Sequence, residues 1–231
     1  MTSARIDRTN VAALIPAFRE ERSIADVVRR TRLQLDLVMV VDDGSGDATT
    51  VQAASAGAEV QTHEINRGKG AAIKTGLREL SAKGVEYVMI LDGDGQHLPE
   101  EIQHFLSEAN LSHAPFIVGS RMADIAAMPF VRRQTNRFMS WRISRACGQW
   151  IPDTQCGFRM IHRDVIPHLF CESNNYDYET EMLLIAARAG FQIAAVPVST
   201  VYGDEESKIH PVRDTIKFFK LMARYRRMPL T

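Results

Sequence analysis

Near-continuous apolar runs alternate with amphipathic stretches through the first half of the chain. The runs at 11–17, 37–43 and 85–91 are rich in Val, Leu and Ile, as is typical of strands buried on both faces. The stretches at 20–33 and 70–82 carry apolar residues at helical spacing. Weaker signals predict a helix from about Asp47, a strand at 58–65, a helix from Pro99 and a strand at 116–120. This alternation predicts an α/β fold, with a mostly parallel sheet covered by helices on both faces.

The second half contains a long interval without acidic residues. Residues 125–152 include five arginines and both tryptophans but no Asp or Glu, and we expect a helix there with a basic face and an apolar face. Further patterns predict a strand at 158–161, a helix at 178–189 ended by Gly190, a strand at 192–201 and a basic amphipathic helix from about Pro211. Because Pro197 lacks a backbone N–H, the last strand is expected at an edge of the sheet. The apolar stripe of the final helix is predicted to consist of Val212, Ile216, Phe219 and Ala223.

Composition narrows the class of protein. The chain has 231 residues, of which 45% are hydrophobic and 24% charged, as in ordinary globular proteins. Lys and Arg together number 28, as do Asp and Glu, so a nucleic-acid binder that relies on bulk positive charge is not expected. No apolar run reaches the roughly 18 residues that span a bilayer, and the polar start lacks the core of a secretion signal. The three cysteines show no CxxC spacing and are expected to be reduced thiols in a cytoplasmic protein.

The segment LDGDGQH is the sharpest candidate for chemistry. Asp92 and Asp94 stand two residues apart at a strand end, where ligands of parallel α/β sheets bind. Their Cα atoms would lie roughly 6.6 Å apart on one face, so both carboxylates and the neutral oxygen of Gln96 can serve one Mg²⁺ or Mn²⁺. Gly93 and Gly95 leave room for the phosphates of a ligand. The alternative is that the two aspartates cap a turn.

Two further segments suit a nucleotide. Asp42 and Asp43 end a strand, where a carboxylate can accept hydrogen bonds from a base or a ribose; an Asx turn is the alternative. Lys69 lies among glycines at a helix start, where backbone N–H groups favour an anion; the alternative is a plain tight turn. Neither segment matches GxxxxGK[ST] or GxGxxG.

The second half adds candidate acids and bases. In DTQCGFR, Asp153 and Arg159 are candidates for a base and a phosphate ligand, with an ion pair within the protein as the alternative. Cys156 is expected to be a small buried residue, because no basic partner that would lower its pKa is evident. Glu179 is a candidate general base, although acids are favoured at helix starts whatever their function. Lys208 is a candidate to fold over a diphosphate, with a solvated lysine as the alternative.

The arginine-rich interval and the final helix suggest peripheral contact with a membrane as a hypothesis. The arginines can hold a phosphate head group while aromatic side chains such as Phe138 and Trp141 touch a lipid tail. The final helix can favour an anionic membrane surface. A solvated basic face is the alternative in both places.

Taken in order, these segments resemble the family 2 glycosyltransferases of GT-A fold, and among them the synthases that attach a sugar to dolichyl or polyprenyl phosphate. The resemblance is carried by IPAFREE, VVDDGS, NRGKGAAIKTG, LDGDGQH, GSR, DTQCGFR, a YxxE helix and SKIHPVRDT. These segments cover about residues 11–218, and their order and spacing make the resemblance specific. Two features depart from it: Arg19 stands where these enzymes commonly have asparagine, and the C-terminal membrane region of many prokaryotic members is absent.

The resemblance implies one GT-A domain over residues 1–231, with a nucleotide-binding part at about 11–121 and an acceptor-side part at about 122–231. It implies an inverting, metal-dependent transfer from a GDP- or UDP-sugar. The nucleotide contacts that it implies are Pro16, Phe18, Glu20, Asp42, Asp43 and Asp92. The metal ligands that it implies are Asp94 and Gln96, beside Asp92. The residues that it places at a donor or acceptor phosphate are Arg121, Arg159, Ser207 and Lys208.

The expected acceptor is a polyprenyl phosphate. A phosphate monoester has a second pKa of about 6 and is already an anionic nucleophile at neutral pH. Positioning and charge stabilisation then suffice without a strong general base. A sugar hydroxyl is the alternative acceptor, and it would require Asp153 or Glu179 as a base. More remote alternatives are a phosphohydrolase with Asp92 as nucleophile, a nucleotidyltransferase and a non-catalytic nucleotide-sugar-binding protein.

Overall fold

A seven-stranded sheet forms the centre of the structure, a computed structural model that describes residues 5–123, 130–175, 177–199, 218 and 220–225. The strands are β1 (Val11–Ala17), β2 (Leu37–Asp42), β3 (Glu59–Thr62), β4 (Tyr87–Ile90), β5 (Phe116–Ser120), β6 (Arg159–His162) and β7 (Ile193–Pro197). Their order in the sheet is β3-β2-β1-β4-β6-β5-β7. Only β6 runs antiparallel to its neighbours, so the predicted mostly parallel α/β fold is confirmed. Strand β7 lies at the edge, as Pro197 predicted.

Six helices join or cover these strands between residues 24 and 188. They are α1 (Ile24–Gln34), α2 (Thr49–Ser55), α3 (Lys69–Ala82), α4 (Ile102–Ser112), α5 (Phe130–Cys147) and α6 (Asp177–Arg188). The helices predicted up to residue 189 are found, with shifted ends, and the start of the predicted final helix lies outside the described residues. Helix α1 begins at Ile24 instead of residue 20, because residues 21–23 form turns that lead into it, with Ser23 N–H donating to the carbonyl of Glu20 at 3.1 Å. Pro99 opens a short 3-10 turn, and α4 follows from Ile102.

The core lies on both faces of the sheet. All seven residues of β1 are buried, which explains why its sequence is continuously apolar instead of alternating. Helix α3 packs directly on this strand, since a Cβ added at Gly76 would run into the side chain of Leu14. Close packing of α3 brings its amino-terminal end, with Lys69, to the rim where β1 and β2 end.

The C-terminal helical residues contradict one detail of the sequence prediction. Residues 218 and 220–225 are helical, and the buried side chains among them are Phe218, Leu221, Met222 and Tyr225. This i, i+3, i+4, i+7 spacing is typical of a helix face on a core. Ala223, which was predicted to belong to the apolar stripe, is exposed. The predicted stripe is therefore wrong at this position, and its other members lie outside the described residues.

Candidate active site

The carboxyl ends of β1, β2, β4 and β5 meet at one rim of the sheet, because all four strands run in the same direction. The antiparallel strand β6 begins at the same rim, preceded by the loop 153–158. Segments far apart in sequence are therefore neighbours here. The sheet topology brings together the polar clusters that the sequence placed after separate strands.

The turn after β1 is tied to the turn after β2. Pro16 is buried opposite Val41, and Phe18 beyond it is half-buried under the guanidinium of Arg19. The backbone N–H of Arg19 donates to Ser45 Oγ at 2.8 Å, and that of Glu20 donates to Thr49 Oγ1 at 2.9 Å. Arg19 has a positive φ of 58°, a backbone conformation that asparagine adopts more readily than arginine.

Asp42 closes the turn that follows its own strand. One carboxylate oxygen accepts from the backbone N–H of Ser45 at 3.0 Å and from the Ser45 hydroxyl. The other accepts from the Thr50 hydroxyl at 2.6 Å. A carboxylate offers about four acceptor positions, so three are occupied within the protein. The Asx-turn alternative is present, and the contact of Asp42 with a base or ribose stays a prediction.

Asp43 is occupied in a similar way. Its carboxylate accepts from the backbone N–H of Arg67 at 3.0 Å and of Gly68 at 2.7 Å, and it lies 2.6 Å from Nδ1 of His63. All of these contacts hold the loop that leads into α3. The sequence interpretation missed His63, and its only signal was a histidine within the predicted strand at 58–65. A nucleotide contact of Asp43 also stays a prediction.

Lys69, Asp92 and Glu179 form a charged cluster at the centre of the rim. Lys69 Nζ lies 2.6 Å from Asp92 Oδ1 and 3.2 Å from Glu179 Oε1. Burial acts to lower the pKa of Lys69, but the two carboxylates outweigh it and the pKa is raised. The ammonium therefore stays charged at neutral pH. The structure thus joins the predicted anion-binding lysine to one predicted metal ligand and one predicted base.

Gly157 lies against this cluster. A Cβ added there would lie 2.9 Å from Glu179 Oε1, 3.1 Å from Asp92 Oδ2 and 3.3 Å from Lys69 Nζ. The backbone of the loop before β6 therefore covers the charged groups, and a side chain at position 157 would crowd them. The sequence interpretation did not single out Gly157, although it lies within DTQCGFR.

The two aspartates of LDGDGQH differ in their electrostatic surroundings. Burial would raise the pKa of Asp92, but the ammonium of Lys69 outweighs it and holds the pKa at about 2. Burial, together with the nearby carboxylates of Asp92 and Glu20, raises the pKa of Asp94 to about 6. Asp94 also accepts the backbone N–H of Gln96 at 2.9 Å. The second carboxylate thus lies in a region of concentrated negative charge, which a cation would relieve.

His97 supports the same loop from below. Its Nδ1 accepts the backbone N–H of Asp92 at 3.1 Å, and its ring stacks on Phe158 with centroids 5.1 Å apart. Burial lowers the pKa of His97, so the ring is neutral at pH 7. The sequence interpretation did not assign it a role.

The side chains of the site can hold Mg²⁺ or Mn²⁺ only together with ligands from a substrate or from water. Among the residues that the structure describes, no three His, Cys, Asp or Glu side chains converge to hold an ion by themselves. Asp92 and Asp94 supply two hard carboxylates beside each other. Mg²⁺ is typically held by one or two carboxylates together with substrate phosphates and water. The residues therefore fit a cation that binds with a diphosphate.

Arg121 and Asp153 form the buried ion pair that the sequence left open as an alternative. Arg121 Nε and Nη2 donate to the two Asp153 oxygens at 2.7 and 3.0 Å. The backbone N–H groups of Arg121 and Gln155 add contacts at 3.2 and 3.1 Å. All acceptor positions of the carboxylate are thereby used. A role for Asp153 as a base stays a prediction that would require this pair to open.

Arg159 holds the loop before β6. The side chain is 1% exposed, and it donates to the carbonyl oxygens of Cys156 at 2.9 Å, Thr154 at 3.2 Å and Glu179. Its predicted phosphate contact would require it to leave these carbonyls. Cys156 is fully buried, and burial raises the pKa of its thiol to about 12, in keeping with a small inert core residue. Ser207 and Lys208 lie outside the described residues.

Comparison with known proteins establishes the family. Residues 12–170 match the family model described as "Glycosyl transferase family 2". The chain belongs to this family. The resemblance drawn from the sequence motifs is thereby confirmed, and the phosphohydrolase alternative loses its basis.

Relatives of this glycosyltransferase include enzymes named for lipid-phosphate acceptors. It is 28% identical to the UDP-N-acetylglucosamine–dolichyl-phosphate N-acetylglucosaminyltransferase of Methanococcus voltae, over 82% of this chain and 84% of that protein. It is 30% identical to the undecaprenyl-phosphate mannosyltransferase of Micrococcus luteus, over 83% of both chains.

The fold of this family 2 member matches a solved structure. Glucosyl-3-phosphoglycerate synthase from Mycobacterium tuberculosis, in complex with Mn²⁺, UDP and phosphoglyceric acid, superposes with a TM-score of 0.70 at 18% identity. The match covers 96% of this chain and 80% of that one. It confirms the GT-A fold.

Proposed function

We propose that this family 2 glycosyltransferase moves a sugar from a nucleoside-diphosphate sugar to a polyprenyl phosphate, with inversion at the anomeric carbon. The choice of acceptor rests on one observation, which is that both candidate bases are held in ion pairs. Asp153 is paired with Arg121, and Glu179 with Lys69, so a proton taken by either would break an ion pair. A phosphate acceptor is already anionic and needs no base. The names of the archaeal and bacterial relatives support the same acceptor class.

The donor is proposed to lie along the rim from β2 to β4. The turn with Pro16, Phe18 and Glu20 and the carboxylates of Asp42 and Asp43 would contact the nucleoside. Lys69 would pair with the diphosphate through its charged ammonium. Gly93 would lie beside the donor as part of this rim; in the fold it packs closely on the β1 side, since a Cβ added there would lie 3.3 Å from Ile24 Cδ1 and 3.5 Å from Ala17 Cβ.

The cation would be held by Asp94, Asp92 and the side-chain oxygen of Gln96. When bound, Mg²⁺ or Mn²⁺ supplies stabilisation of the charge that develops on the leaving diphosphate. The side chains at the rim would keep the donor and the acceptor aligned. Gly157 lies in the loop that covers the charged cluster, and Arg159 holds this loop in place. Alignment of this kind accounts for a large part of the rate enhancement in bimolecular transfers.

A hydroxyl acceptor is the second candidate function. The position of Glu179 supports a hydroxyl acceptor, because its side chain lies at the rim and is 16% exposed. If Lys69 turns to the diphosphate, the Glu179 carboxylate is within reach of a bound acceptor. Product analysis separates the two acceptors.

We also propose peripheral contact with the cytoplasmic face of a membrane. Helix α5 exposes Phe138 to 51% and Trp141 to 49%, and Trp150 beyond it is 72% exposed. Aromatic side chains beside arginines are typical of surfaces that enter the lipid interface. In the described residues no helix is long and apolar enough to cross a membrane.

Calorimetric titration tests the donor half of the proposal. UDP-glucose, UDP-GlcNAc, GDP-mannose and dTDP-glucose are titrated into the protein with and without Mn²⁺. We expect one donor class to bind, with an affinity that depends on Mn²⁺. The variant Asp94→Asn should lose the Mn²⁺ dependence. The control Asp164→Asn should keep it, since Asp164 is 71% exposed at the opposite end of the sheet. Absence of binding by every donor would contradict the proposal.

A further inference from the structure

A chain of three polar side chains, two of them buried and the third half-buried, lies next to the loop that precedes Lys69. His63 Nδ1 lies 2.6 Å from Asp43 Oδ1, and His63 Nε2 lies 3.0 Å from Thr75 Oγ1. His63 and Asp43 are both buried. The chain connects the carboxyl ends of the paired strands β2 and β3 to the second turn of α3.

The hydrogen-bond roles along this chain follow from the chemistry of the groups. A carboxylate can only accept, so the proton of the imidazole is on Nδ1 and is donated to Asp43. In the neutral ring Nε2 then accepts from the hydroxyl of Thr75. Thr75 therefore orients His63, and His63 orients the carboxylate of Asp43.

The oriented carboxylate holds the loop. Asp43 Oδ1 accepts the N–H of Arg67 at 3.0 Å, and Oδ2 accepts the N–H of Gly68 at 2.7 Å. Gly68 has a φ of 98°, and a Cβ there would collide with the carbonyl oxygen of Asn174. Gly68 is thus fixed between Asp43 on one side and Asn174 on the other, immediately before Lys69.

We propose that His63 is a positioning residue, which acts through Asp43 to hold the 66–68 loop so that the Lys69 ammonium meets the donor diphosphate. His63 has no place at the reacting atoms, and Asp43 spends most of its acceptor capacity on the loop. The inference rests on the proposed function, because Lys69 meets a diphosphate only if the chain takes a nucleoside-diphosphate donor. The link between His63 and the loop stands on the geometry alone.

Amide hydrogen exchange tests that link directly. In His63→Leu the N–H groups of Arg67 and Gly68 should exchange about 10-fold faster or more, because their acceptor is no longer oriented. His63→Asn should restore slow exchange, since its side-chain N–H can replace Nδ1–H. The control His162→Leu removes a ring that lies 4.8 Å from Tyr87 at the other end of the sheet, and should leave these amides unchanged. Unchanged exchange in His63→Leu would overturn the inference.

A double-mutant cycle tests whether His63 acts through Lys69. In an otherwise wild-type background we expect His63→Leu to lower kcat/KM about 10- to 100-fold. We expect His63→Asn to keep most of the wild-type kcat/KM. In a Lys69→Met background the same His63→Leu change should have little further effect, because the group that it positions is gone. Equal losses in both backgrounds would show a general structural role and overturn the positioning assignment.

The two experiments separate this inference from the proposed function. A wild-type chain that turns over no donor would refute the function, while the exchange rates would still decide whether His63 holds the loop. An active wild-type chain with fully additive variants would retain the function and refute the inference.

Discussion

Adding one methyl group at Gly157 should impair the chemistry far more than the fold. Gly157→Ala places a Cβ 2.9 Å from Glu179 Oε1, 3.1 Å from Asp92 Oδ2 and 3.3 Å from Lys69 Nζ. Ordinary contacts begin near 3.4 Å, so the nearest carboxylate must retreat by about 0.5 Å. A displacement of that order at reacting groups lowers kcat/KM by about 10- to 100-fold.

Stability should change little in the same variant. Gly157 does not have a positive φ, so alanine fits its backbone, and such a replacement stabilises by about 0.4–1 kcal/mol through the unfolded chain. Crowding of the three charged groups opposes this gain by about 1–3 kcal/mol, at the lower end here because the groups are the ends of flexible side chains. We therefore expect a net loss of about 0–2 kcal/mol in the free energy of unfolding.

Initial rates and urea unfolding of the same preparations measure the two effects. Ile161→Val is the matched control, because Ile161 is fully buried near the opposite end of the sheet, where it pairs with Val88. It should lose about 0.5–1.5 kcal/mol of stability while each folded molecule keeps its kcat/KM. Wild-type kcat/KM in Gly157→Ala would refute the account of the charged cluster, and so would a loss of activity explained by unfolding alone.

Three further predictions concern other parts of the molecule. Arg19→Asn should raise the free energy of unfolding by about 0.5–1 kcal/mol, because asparagine tolerates the left-handed backbone at φ of 58° better; an unchanged urea midpoint would count against strain there. For Glu181, burial alone would raise the pKa, but hydrogen bonds from Cys171, Ser173 and Tyr225 outweigh it and lower the pKa below its usual 4.5. The ionised Glu181 side chain therefore stabilises the fold fully above about pH 4.5, and this stabilisation is lost as the pH falls through the lower folded-state pKa. Glu181→Gln should lower the free energy of unfolding by about 1–3 kcal/mol at pH 7 and by less at pH 3. An equal loss at both pH values would contradict this prediction. Finally, sedimentation with vesicles should require anionic lipid and should weaken in Trp141→Ala; binding that ignores lipid charge would remove the membrane proposal.

The strands were predictable because each is a local pattern. Continuous apolar runs such as that of β1 are what a strand buried on both faces requires. Helix starts were less predictable, since they depend on single backbone conformations. The turns at residues 21–23, which place the start of α1 at Ile24, and the left-handed backbone of Arg19 have no signal in hydrophobic periodicity.

Within the candidate site, the sequence located the residues but not their partners. Asp92 and Asp94 were recognisable because they are two residues apart at a strand end. The contact of Lys69 with Glu179 joins residues 110 positions apart, and it arises only because α3 and α6 meet at the rim. Local spacing contains no information about such a contact.

The same reason explains the occupied carboxylates. Asp43 looked available for a nucleotide, yet it accepts from Gly68 and from His63, both more than 15 residues away. Arg159 looked like a phosphate ligand, but in the fold it serves carbonyls of its own loop and of α6. Charged residues near a site are needed to hold loops as well as ligands, and only the three-dimensional contacts distinguish the two uses.

The most direct test of the proposed reaction is product analysis with lipid acceptors. The protein is incubated with Mn²⁺, the donor identified by calorimetry, and either a polyprenyl phosphate, the corresponding polyprenol without phosphate, or a free sugar. Mass spectrometry of the extracts identifies the product, and NMR assigns its anomeric configuration. We predict a glycosyl polyprenyl phosphate of inverted configuration and no transfer to the other two. Transfer to a hydroxyl acceptor, with none to the lipid phosphate, would contradict the account.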